Sequence, residues 1–275
     1  MNTEPGKPAF ASPASAGAEP GSGPAAGFLP DPARGRVFTT ARLIRSTDVT
    51  PSGRLRFDAL ARYLQEAAED DVADSSWREP CGWLLRRCTV TVRSYPAYSE
   101  QVRIRTFCSA TGPRWAERTT TIAADTGDVI QARAVWVAVD TATGQPRPLG
   151  PGFLRVYGES TGGRRVSGRL SHPRPDGSRS GREWPLRASD FDPAGHVNNC
   201  IHWAAVEDAL TGLSWLPASA EMEYHRPILP GQRTHLVTSE QRGHMRAWLL
   251  AGGQRLASAL LSHDGPAAVS GDPAG

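Results

Sequence analysis

The sequence contains almost no lysine. Lys7 is the only one, and arginine supplies nearly all of the 31 basic residues. The formal net charge is only +3, and no compact basic helix or aromatic RNA-binding motif accompanies it, which argues against nucleic-acid binding. No apolar run approaches the roughly 20 residues of a membrane-spanning helix, so no membrane association is expected. A hydrophobic share of 39% and a charged share of 21% are typical of a soluble globular protein.

The sequence also lacks any paired cysteine motif. Its four cysteines, Cys81, Cys88, Cys108 and Cys200, are scattered without a CxxC pair or the spacing of zinc ligands. We therefore expect reduced thiols in a cytoplasmic protein, with no metal and no cofactor. Cys200 follows His196 by four residues and could serve as a nucleophile, but its place inside a helical pattern favours a small core residue.

Three segments lack the apolar pattern of folded structure. Residues 1–35 are rich in Pro, Ala, Gly and Ser without the continuous apolar stretch of a secretion signal, so they predict a disordered extension. Residues 264–275 have the same character and predict a flexible tail, while residues 157–182, dense in Gly, Ser, Arg and Pro, predict a linker. Two domains remain, 36–156 and 183–263, each able to bury a core.

The segment Ser189–Asn199, SDFDPAGHVNN, places an acid and an imidazole at the start of a helix. Asp192 and His196 lie four positions apart, and Pro193 and Gly195 force a turn between them before helical apolar spacing resumes. A turn followed by a helix leaves unpaired backbone N–H groups, which can bind a carbonyl oxygen that is acquiring negative charge. This pattern predicts a catalytic site in the second domain.

The same segment has a second copy earlier in the chain. Subtracting 142 from each residue number superimposes the two copies without a gap, and both run on into a helical pattern. Thr50 and Arg54 stand where the later copy has Asp192 and His196, and neither can act as a base at neutral pH. We therefore expect a non-catalytic first domain that serves as a scaffold. The identical pairs are Arg45 with Arg187, Asp48 with Asp190, Pro51 with Pro193, Gly53 with Gly195 and Ala67 with Ala209.

Both domains show one strand, a turn, one long helix and then several strands. The apolar periods predict the helices over residues 56–73 and 197–213. A single helix packed on an antiparallel sheet buries the apolar surfaces of both, which is an α+β arrangement. The fold prediction is therefore two antiparallel sheets, each wrapped around one long helix, joined side by side into a continuous β-surface. The predicted strands cover residues 38–45, 83–93, 101–109, 115–123, 129–140, 184–188, 220–226, 234–241, 244–251 and 255–263.

With these elements in place, the chain resembles the acyl-ACP thioesterases, which are tandem hot-dog proteins. The resemblance covers residues 36–263. It rests on DVTPSGRLRFDALARYLQEAAEDD, WLLRRCTVTV and AVWVAVDTATGQPRPL in the first domain, and on RASDFDPAGHVNN and EYHRPILPG in the second. It implies a double hot-dog fold and the hydrolysis of fatty-acyl thioesters of acyl carrier protein to free acid and carrier thiol, in fatty acid biosynthesis.

The resemblance also implies a role for each residue of the second turn. Asp192 matches the family's catalytic aspartate, which activates water or attacks the thioester directly, and His196 matches the histidine that positions the carbonyl or the water. Backbone N–H groups of Gly195–Val197 would stabilise the oxyanion. Asn198 and Asn199 would orient the turn or the acyl carbonyl through their amides.

Two positions depart from the family pattern. Plant members have an asparagine where this chain has Ala194, and a glutamate where it has Pro227. Single-domain hot-dog thioesterases with a D-x-x-G turn manage without the asparagine, which favours a simpler mechanism centred on Asp192. Glu207 or Asp208 could replace the missing carboxylate, although acidic residues two turns into a helix are usually solvated.

Several alternatives stay open on sequence alone. The thioester could be carried by coenzyme A, because both carriers end in the same phosphopantetheine arm. The fold also suits a hydratase or dehydratase, and the two departures fit a non-catalytic acyl-binding protein. Two fused hot-dog units already supply the pairing that single-domain members obtain from two chains, so a monomer or a homodimer is expected. The tryptophans are expected chiefly in the core, with some lining an acyl tunnel, and they include Trp83, Trp115, Trp136 and Trp203. Gln65 and Glu66 are expected to be structural or to lie at the tunnel mouth.

Overall fold

The computed structural model describes residues 27–176 and 181–264. The strands are Phe38–Leu43 (β1), Gly82–Val92 (β2), Gln101–Thr111 (β3), Trp115–Ala124 (β4), Gly127–Val139 (β5), Arg182–Glu183 (β6), Ser219–Tyr224 (β7), His235–Gln241 (β8), His244–Ala251 (β9) and Gln254–Ser262 (β10). The α-helices are Phe57–Asp74 (α1), Pro151–Tyr157 (α2) and Asn199–Leu210 (α3). All ten strands form one sheet, in the order β1-β3-β4-β5-β2-β7-β10-β9-β8-β6.

The pairing of β2 with β7 joins the first five strands to the last five. Residues Arg87–Thr91 run antiparallel to Ser219–Glu223 in an unbroken register, with Cys88 opposite Met222. The predicted continuous β-surface is therefore present. The two sheets of the prediction are one sheet, because these hydrogen bonds carry a single ladder through the middle.

Helices α1 and α3 lie on one face of the sheet and pack against each other. The apolar positions of α1 recur every three or four residues, and Phe57, Leu60, Tyr63 and Ala67 are all buried. Phe57 stacks on Trp203 of α3, with ring centroids 5.4 Å apart and planes 15° from parallel. Both helices and strands from both halves contribute to one hydrophobic cluster. The helices thus form one layer over one sheet, where the sequence predicted two separately wrapped helices.

Part of the predicted linker lies against the opposite face of the sheet. Glu221 and Glu223 alternate with core residues along β7, so they point away from the helices. Residues 164–174, which we call the strap, pass over these two glutamates. His172 of the strap is 5% exposed, and its ring nitrogens lie 3.0 Å from Glu221 Oε1 and 3.0 Å from Ser258 Oγ. The prediction of a linker over residues 157–182 missed this contact because the buried groups are polar; residues 177–180 lie outside the described residues.

Residues 27–35 also lie on the sheet. The N–H of Leu29 donates to Oε1 of Gln131 at 2.6 Å, and its carbonyl accepts from Nε2 of the same side chain at 2.8 Å. Asp31 lies 2.8 Å from the Nε of Arg105. These bonds hold residues 27–35 against the sheet. The other residues predicted to be disordered or flexible, 1–26 and 265–275, lie outside the described residues. Among the residues described, no helix has both the length and the hydropathy to cross a membrane.

Candidate active site

Two turns with the same hydrogen bonds precede α1 and α3. In the first, the N–H of Thr50 donates to the carbonyl of Arg54 at 2.8 Å, and in the second, the N–H of Asp192 donates to the carbonyl of His196 at 2.8 Å. The segment repeated in the sequence is therefore also a repeated structure, with the same offset of 142 residues. Two further backbone hydrogen bonds are repeated. The N–H of Arg56 donates to the carbonyl of Asp48, as that of Asn198 does to Asp190, at 2.9 Å each. The N–H of Leu55 donates to the carbonyl of Pro96, as that of Val197 does to Ile228, at 3.0 Å each.

Asp192 holds the second turn closed with one of its two carboxylate oxygens. Its Oδ1 accepts the N–H of Ala194 at 2.9 Å and that of His196 at 3.3 Å, which is an Asx turn. In the first turn, Thr50 Oγ1 accepts the N–H of Arg54 at 3.3 Å. The Oδ2 of Asp192 has no hydrogen-bond partner among the described residues, so this oxygen is available to accept a proton.

A cavity of about 480 Å³ lies between the two halves of the chain, and Asp192 lines it. Asn199 is the other lining residue from the second half, and all the rest come from the first half. Trp83 and Trp136 are among them, as the sequence predicted for some tryptophans, and Gln65 lines the cavity as the tunnel-mouth prediction proposed. Mostly apolar walls with a few convergent polar groups are typical of a ligand site. The remaining lining residues are Ala68, Glu69, Val72, Ala73, Cys108, Ala116, Glu117, Arg118 and Phe153.

His196 is half-buried and does not line this cavity. Within the described residues its imidazole makes no hydrogen bond and no ion pair, and its two contacts with Asp192 run through the backbone. The structure therefore places the predicted acid and imidazole on one turn without joining their side chains.

Most of the backbone donors predicted for an oxyanion are already occupied. The N–H of Gly195 donates to the carbonyl of Asp192 at 2.9 Å, and that of Val197 donates to the carbonyl of Ile228 at 3.0 Å. The donors predicted at Gly195 and Val197 are therefore occupied, one by a carbonyl of the turn and the other by that of Ile228. Asn198 is the N-cap of α3, and its side-chain oxygen accepts the N–H of Cys200 at 3.0 Å.

Asn199 provides the donor that the turn does not use. It is the first residue of α3, and its N–H has no acceptor among the described residues. Because the first N–H groups of a helix lack intrahelical partners, this group is available to a ligand in the cavity that Asn199 lines.

The two acidic residues proposed as substitute carboxylates do not line the cavity. Glu207 forms an ion pair with Arg54, and its Oε2 accepts the N–H of Phe57 at 3.0 Å. Asp208 accepts the indole N–H of Trp184 at 3.1 Å. Both acids therefore hold α3 to neighbouring elements and are not brought to the cavity with Asp192.

The acids that do line the cavity with Asp192 are Glu69 of α1 and Glu117 of β4. The sequence analysis did not single them out. The helical spacing of Gln65, Glu69 and Val72 was the signal that could have placed Glu69 on one face with Gln65.

The side chains that follow the two turns differ in size. The Phe57–Trp203 stack lies at the start of α1. Asn199 and Ala61 are the counterparts of these two residues at the offset of 142. Both line a recess of about 20 Å³ that adjoins the main cavity, since Gln65 lines the two spaces. Two rings at the first turn thus correspond to an amide and a methyl group at the second.

Burial sets the protonation of the other reactive side chains on α3. It raises the pKa of Cys200 to about 11, so the thiol stays protonated at neutral pH, which supports the predicted core role over a nucleophile. Burial also lowers the pKa of His202 to about 4, and the neutral ring packs against Tyr224.

One group of residues in the described part of the chain has metal-ligand chemistry. His172, Glu221 and Glu223 bring ligand-type atoms within 4.8 Å of one another. His172 belongs to the strap and the two glutamates lie beneath it, on the face opposite the helices, where hydrogen bonds of His172 already join the strap to β7 and β10.

Known proteins share this architecture. Residues 35–157 match the family model of the acyl-ACP thioesterase N-terminal domain. The solved 12:0-ACP thioesterase from Umbellularia californica is 19% identical, with a TM-score of 0.70 over 84% of this chain and 98% of that chain. A solved acyl-ACP thioesterase from Bacteroides thetaiotaomicron is 18% identical, with a TM-score of 0.72 over 82% of this chain and 97% of that chain.

A sequence relative is also present in Mycobacterium tuberculosis. This uncharacterised protein is 29% identical over 235 residues, which cover 84% of this chain and 93% of the relative. The structural neighbours show that the large sheet and its helix layer are a hot-dog fold, as the sequence predicted. The family model shows that residues 35–157 are similar to the N-terminal domain of acyl-ACP thioesterases.

Proposed function

We propose that this protein hydrolyses acyl thioesters of acyl carrier protein in fatty acid biosynthesis, with Asp192 as the general base. One observation carries the assignment of the base: Asp192 lines the cavity of about 480 Å³, and its Oδ2 has no hydrogen-bond partner among the described residues. The apolar walls take the acyl chain, and the phosphopantetheine arm brings the thioester carbonyl to the mouth beside Asp192.

The reaction needs one base and one site for negative charge. Asp192 Oδ2 takes a proton from water as the water oxygen bonds to the carbonyl carbon. The tetrahedral oxyanion then collapses, the C–S bond breaks, and the leaving thiolate takes the proton from Asp192. The products are a free acid and the carrier thiol. His196, on the same turn, positions the water or the carbonyl, and Asn198 fixes the start of α3.

The two halves of the chain divide these tasks. We assign residues 36–156 to a non-catalytic hot-dog unit that builds most of the cavity, and residues 183–263 to the catalytic unit. Support comes from the repeated hydrogen bonds of the two turns, combined with the replacement of Asp192 and His196 by Thr50 and Arg54 in the first. A threonine and an arginine cannot act as a base at neutral pH.

The test is release of free thiol from a panel of acyl chains, each presented on acyl carrier protein and on coenzyme A. Asp192→Asn keeps an oxygen to accept the two N–H groups of the turn but removes the base. Its kcat should fall about 100-fold or more. Asp125→Asn, at an exposed turn, is the matched control and should retain the rate of the wild type.

Each alternative function has its own outcome. If Asp192→Asn releases thiol at an unchanged rate, the result would indicate a non-catalytic acyl-binding protein. Hydration of enoyl thioesters without thiol release would indicate a hydratase. A higher kcat/KM with coenzyme A thioesters than with acyl carrier protein thioesters would identify coenzyme A as the acyl donor.

A further inference from the structure

Four pairs of counterpart residues differ where the two turns lead into α1 and α3. They are related by the offset of 142 residues, and each pair has one member in each half of the chain. The counterparts are Arg54 and His196, Phe57 and Asn199, Ala61 and Trp203, and Gln65 and Glu207.

At the first turn, a carboxylate from the opposite half occupies the start of the helix. Glu207 of α3 reaches across to α1, where its Oε2 accepts the N–H of Phe57 at 3.0 Å and its other oxygen pairs with Arg54. The side chains of Glu207 and Arg54 are each only 12% exposed. A negatively charged oxygen is thus held in front of the first N–H of α1, where the helix dipole favours an anion.

At the second turn, the same place is open. The N–H of Asn199 is the counterpart of the N–H of Phe57, and it has no acceptor among the described residues. The counterpart of Glu207 is Gln65, a neutral amide that lines the cavity together with Asn199. Gln65 Nε2 donates to Glu69 Oε1 at 3.1 Å. This bond uses one amide hydrogen and leaves the second to point elsewhere.

We propose that the thioester oxygen is bound between the two halves, by the backbone N–H of Asn199 and the side-chain N–H of Gln65. This inference rests on the proposed thioesterase activity. The carboxylate oxygen of Glu207 indicates where the thioester oxygen would lie, because it occupies the corresponding place at the first turn. As water bonds to the carbonyl carbon, the carbonyl π electrons move to the oxygen, and both donors stabilise the charge until the C–S bond breaks.

The difference between glutamine and glutamate decides which turn can work. A carboxylate at position 65 would accept the N–H of Asn199 permanently and would repel a second negative oxygen. An amide supplies a donor and carries no charge. The first turn is therefore closed by a built-in anion, and the second is kept open by Gln65, with Glu69 as a positioning residue for its amide.

The test compares two substitutions of Gln65 in the full-length protein. Gln65→Glu is close to isosteric and copies the residue found at the counterpart position, whereas Gln65→Ala only removes the donor. With an acyl carrier protein substrate, Gln65→Glu should lower kcat about 100-fold, and Gln65→Ala about 10-fold, with KM changing less than about threefold in both. A purely structural role predicts the reverse order, because glutamate preserves the shape of the side chain.

The pH dependence of the rate is a second measurement, and a loss of folding would not produce the change expected in it. Protonation of the introduced carboxyl, with an ordinary pKa of about 4.3, restores a donor, so the rate of Gln65→Glu relative to wild type should rise as the pH falls towards 5. Gln145→Glu, on an exposed turn, adds the same charge and should keep the wild-type rate.

The outcomes separate this inference from the proposed function. An inactive wild type would overturn the thioesterase assignment itself. An active wild type whose Gln65→Glu variant folds and either keeps its kcat or loses less than Gln65→Ala would overturn the role of Gln65 alone.

Discussion

Ala68 on α1 and Leu210 on α3 are counterparts at the offset of 142, yet Ala68 lines the cavity while Leu210 is buried in the shared core. At this position the cavity wall on α1 carries a smaller side chain than its counterpart on α3. Ala61 and Trp203 show the same relation. The length of acyl chain that fits should therefore depend on these small residues.

Ala68→Leu should shorten the preferred acyl chain. The larger side chain takes space from the cavity, and each methylene of the substrate that can no longer be buried is worth about 0.8 kcal/mol. We expect kcat/KM for the longest accepted chain to fall about tenfold or more, with short chains changed less than about threefold. The measurement is kcat/KM across a series of chain lengths. Ala142→Leu, on an exposed loop, is the control, and a uniform loss at all lengths would contradict the prediction.

Glu207→Gln should destabilise the fold. The substitution removes the negative partner of Arg54, whose side chain is only 12% exposed. Leaving a largely buried guanidinium without its counter-charge should cost about 2 kcal/mol or more. Urea unfolding followed by circular dichroism measures this loss. The neighbouring Asp208→Asn, at a side chain that is 57% exposed, should change the unfolding free energy by less than about 0.5 kcal/mol. Equal stability of the two variants would show that the Arg54 pair contributes nothing.

His202 should make the protein sensitive to mild acid. Burial lowers its pKa to about 4, below the ordinary value of about 6.5 in the unfolded chain. Between these two pH values the unfolded state binds a proton that the folded state does not bind. The contribution of His202 to the unfolding free energy is therefore complete above pH 6.5 and falls as the pH drops towards 4. This single group should account for about 2 kcal/mol between pH 7 and pH 5.

The matched variant for this effect is His202→Leu, which installs the residue that α1 carries at the counterpart position, Leu60. Its unfolding free energy should depend less on pH than that of the wild type. The pKa of His225 is also lowered to about 4 by burial, and it stays in both proteins, so the difference isolates His202. Identical pH slopes would contradict the assignment.

The strap should loosen when His172 is replaced. His172→Ala loses the ring contacts with Ser258 and Glu221, each worth about 1 kcal/mol. The strap contains several arginines, so trypsin should cleave it at least about tenfold faster in this variant. Mass spectrometry of the fragments locates the cuts. His235→Ala, at an exposed position of β8, provides the comparison, and unchanged cleavage in His172→Ala would show that other contacts hold the strap.

The sequence predicted the regular elements well where one period dominates. The predicted β-like runs over residues 83–93 and 115–123 correspond to β2 and β4 within one residue at each end, and the helical period of residues 56–73 corresponds to α1 within one residue. The predicted strand over residues 184–188 is instead the short β6, because Pro185 has no N–H to continue a ladder. Helix α2 was not predicted, since seven residues beginning with Pro and Gly carry too little periodicity to detect.

The candidate site was only half accessible from sequence. The turn of Asp192 is local, so its motif could be read directly. The sequence allowed Gln65 at the tunnel mouth but did not place Glu69 in the cavity, because no local pattern records which faces of α1 and α3 meet. The predicted donors at Gly195 and Val197 were wrong for a related reason. Their acceptors are the turn's own carbonyl and Ile228, which lies beyond the helix.

The junction of β2 and β7 also constrains how the chain can reach its native state during synthesis. Strand β2 is complete at residue 92, but its partner begins only at residue 219. Until the ribosome has made that partner, β2 exposes one edge of unsatisfied N–H and carbonyl groups to the cell. The nascent protein therefore passes through a period in which pairing with another chain competes with completion of its own sheet, and this is the stage at which a chaperone would protect it.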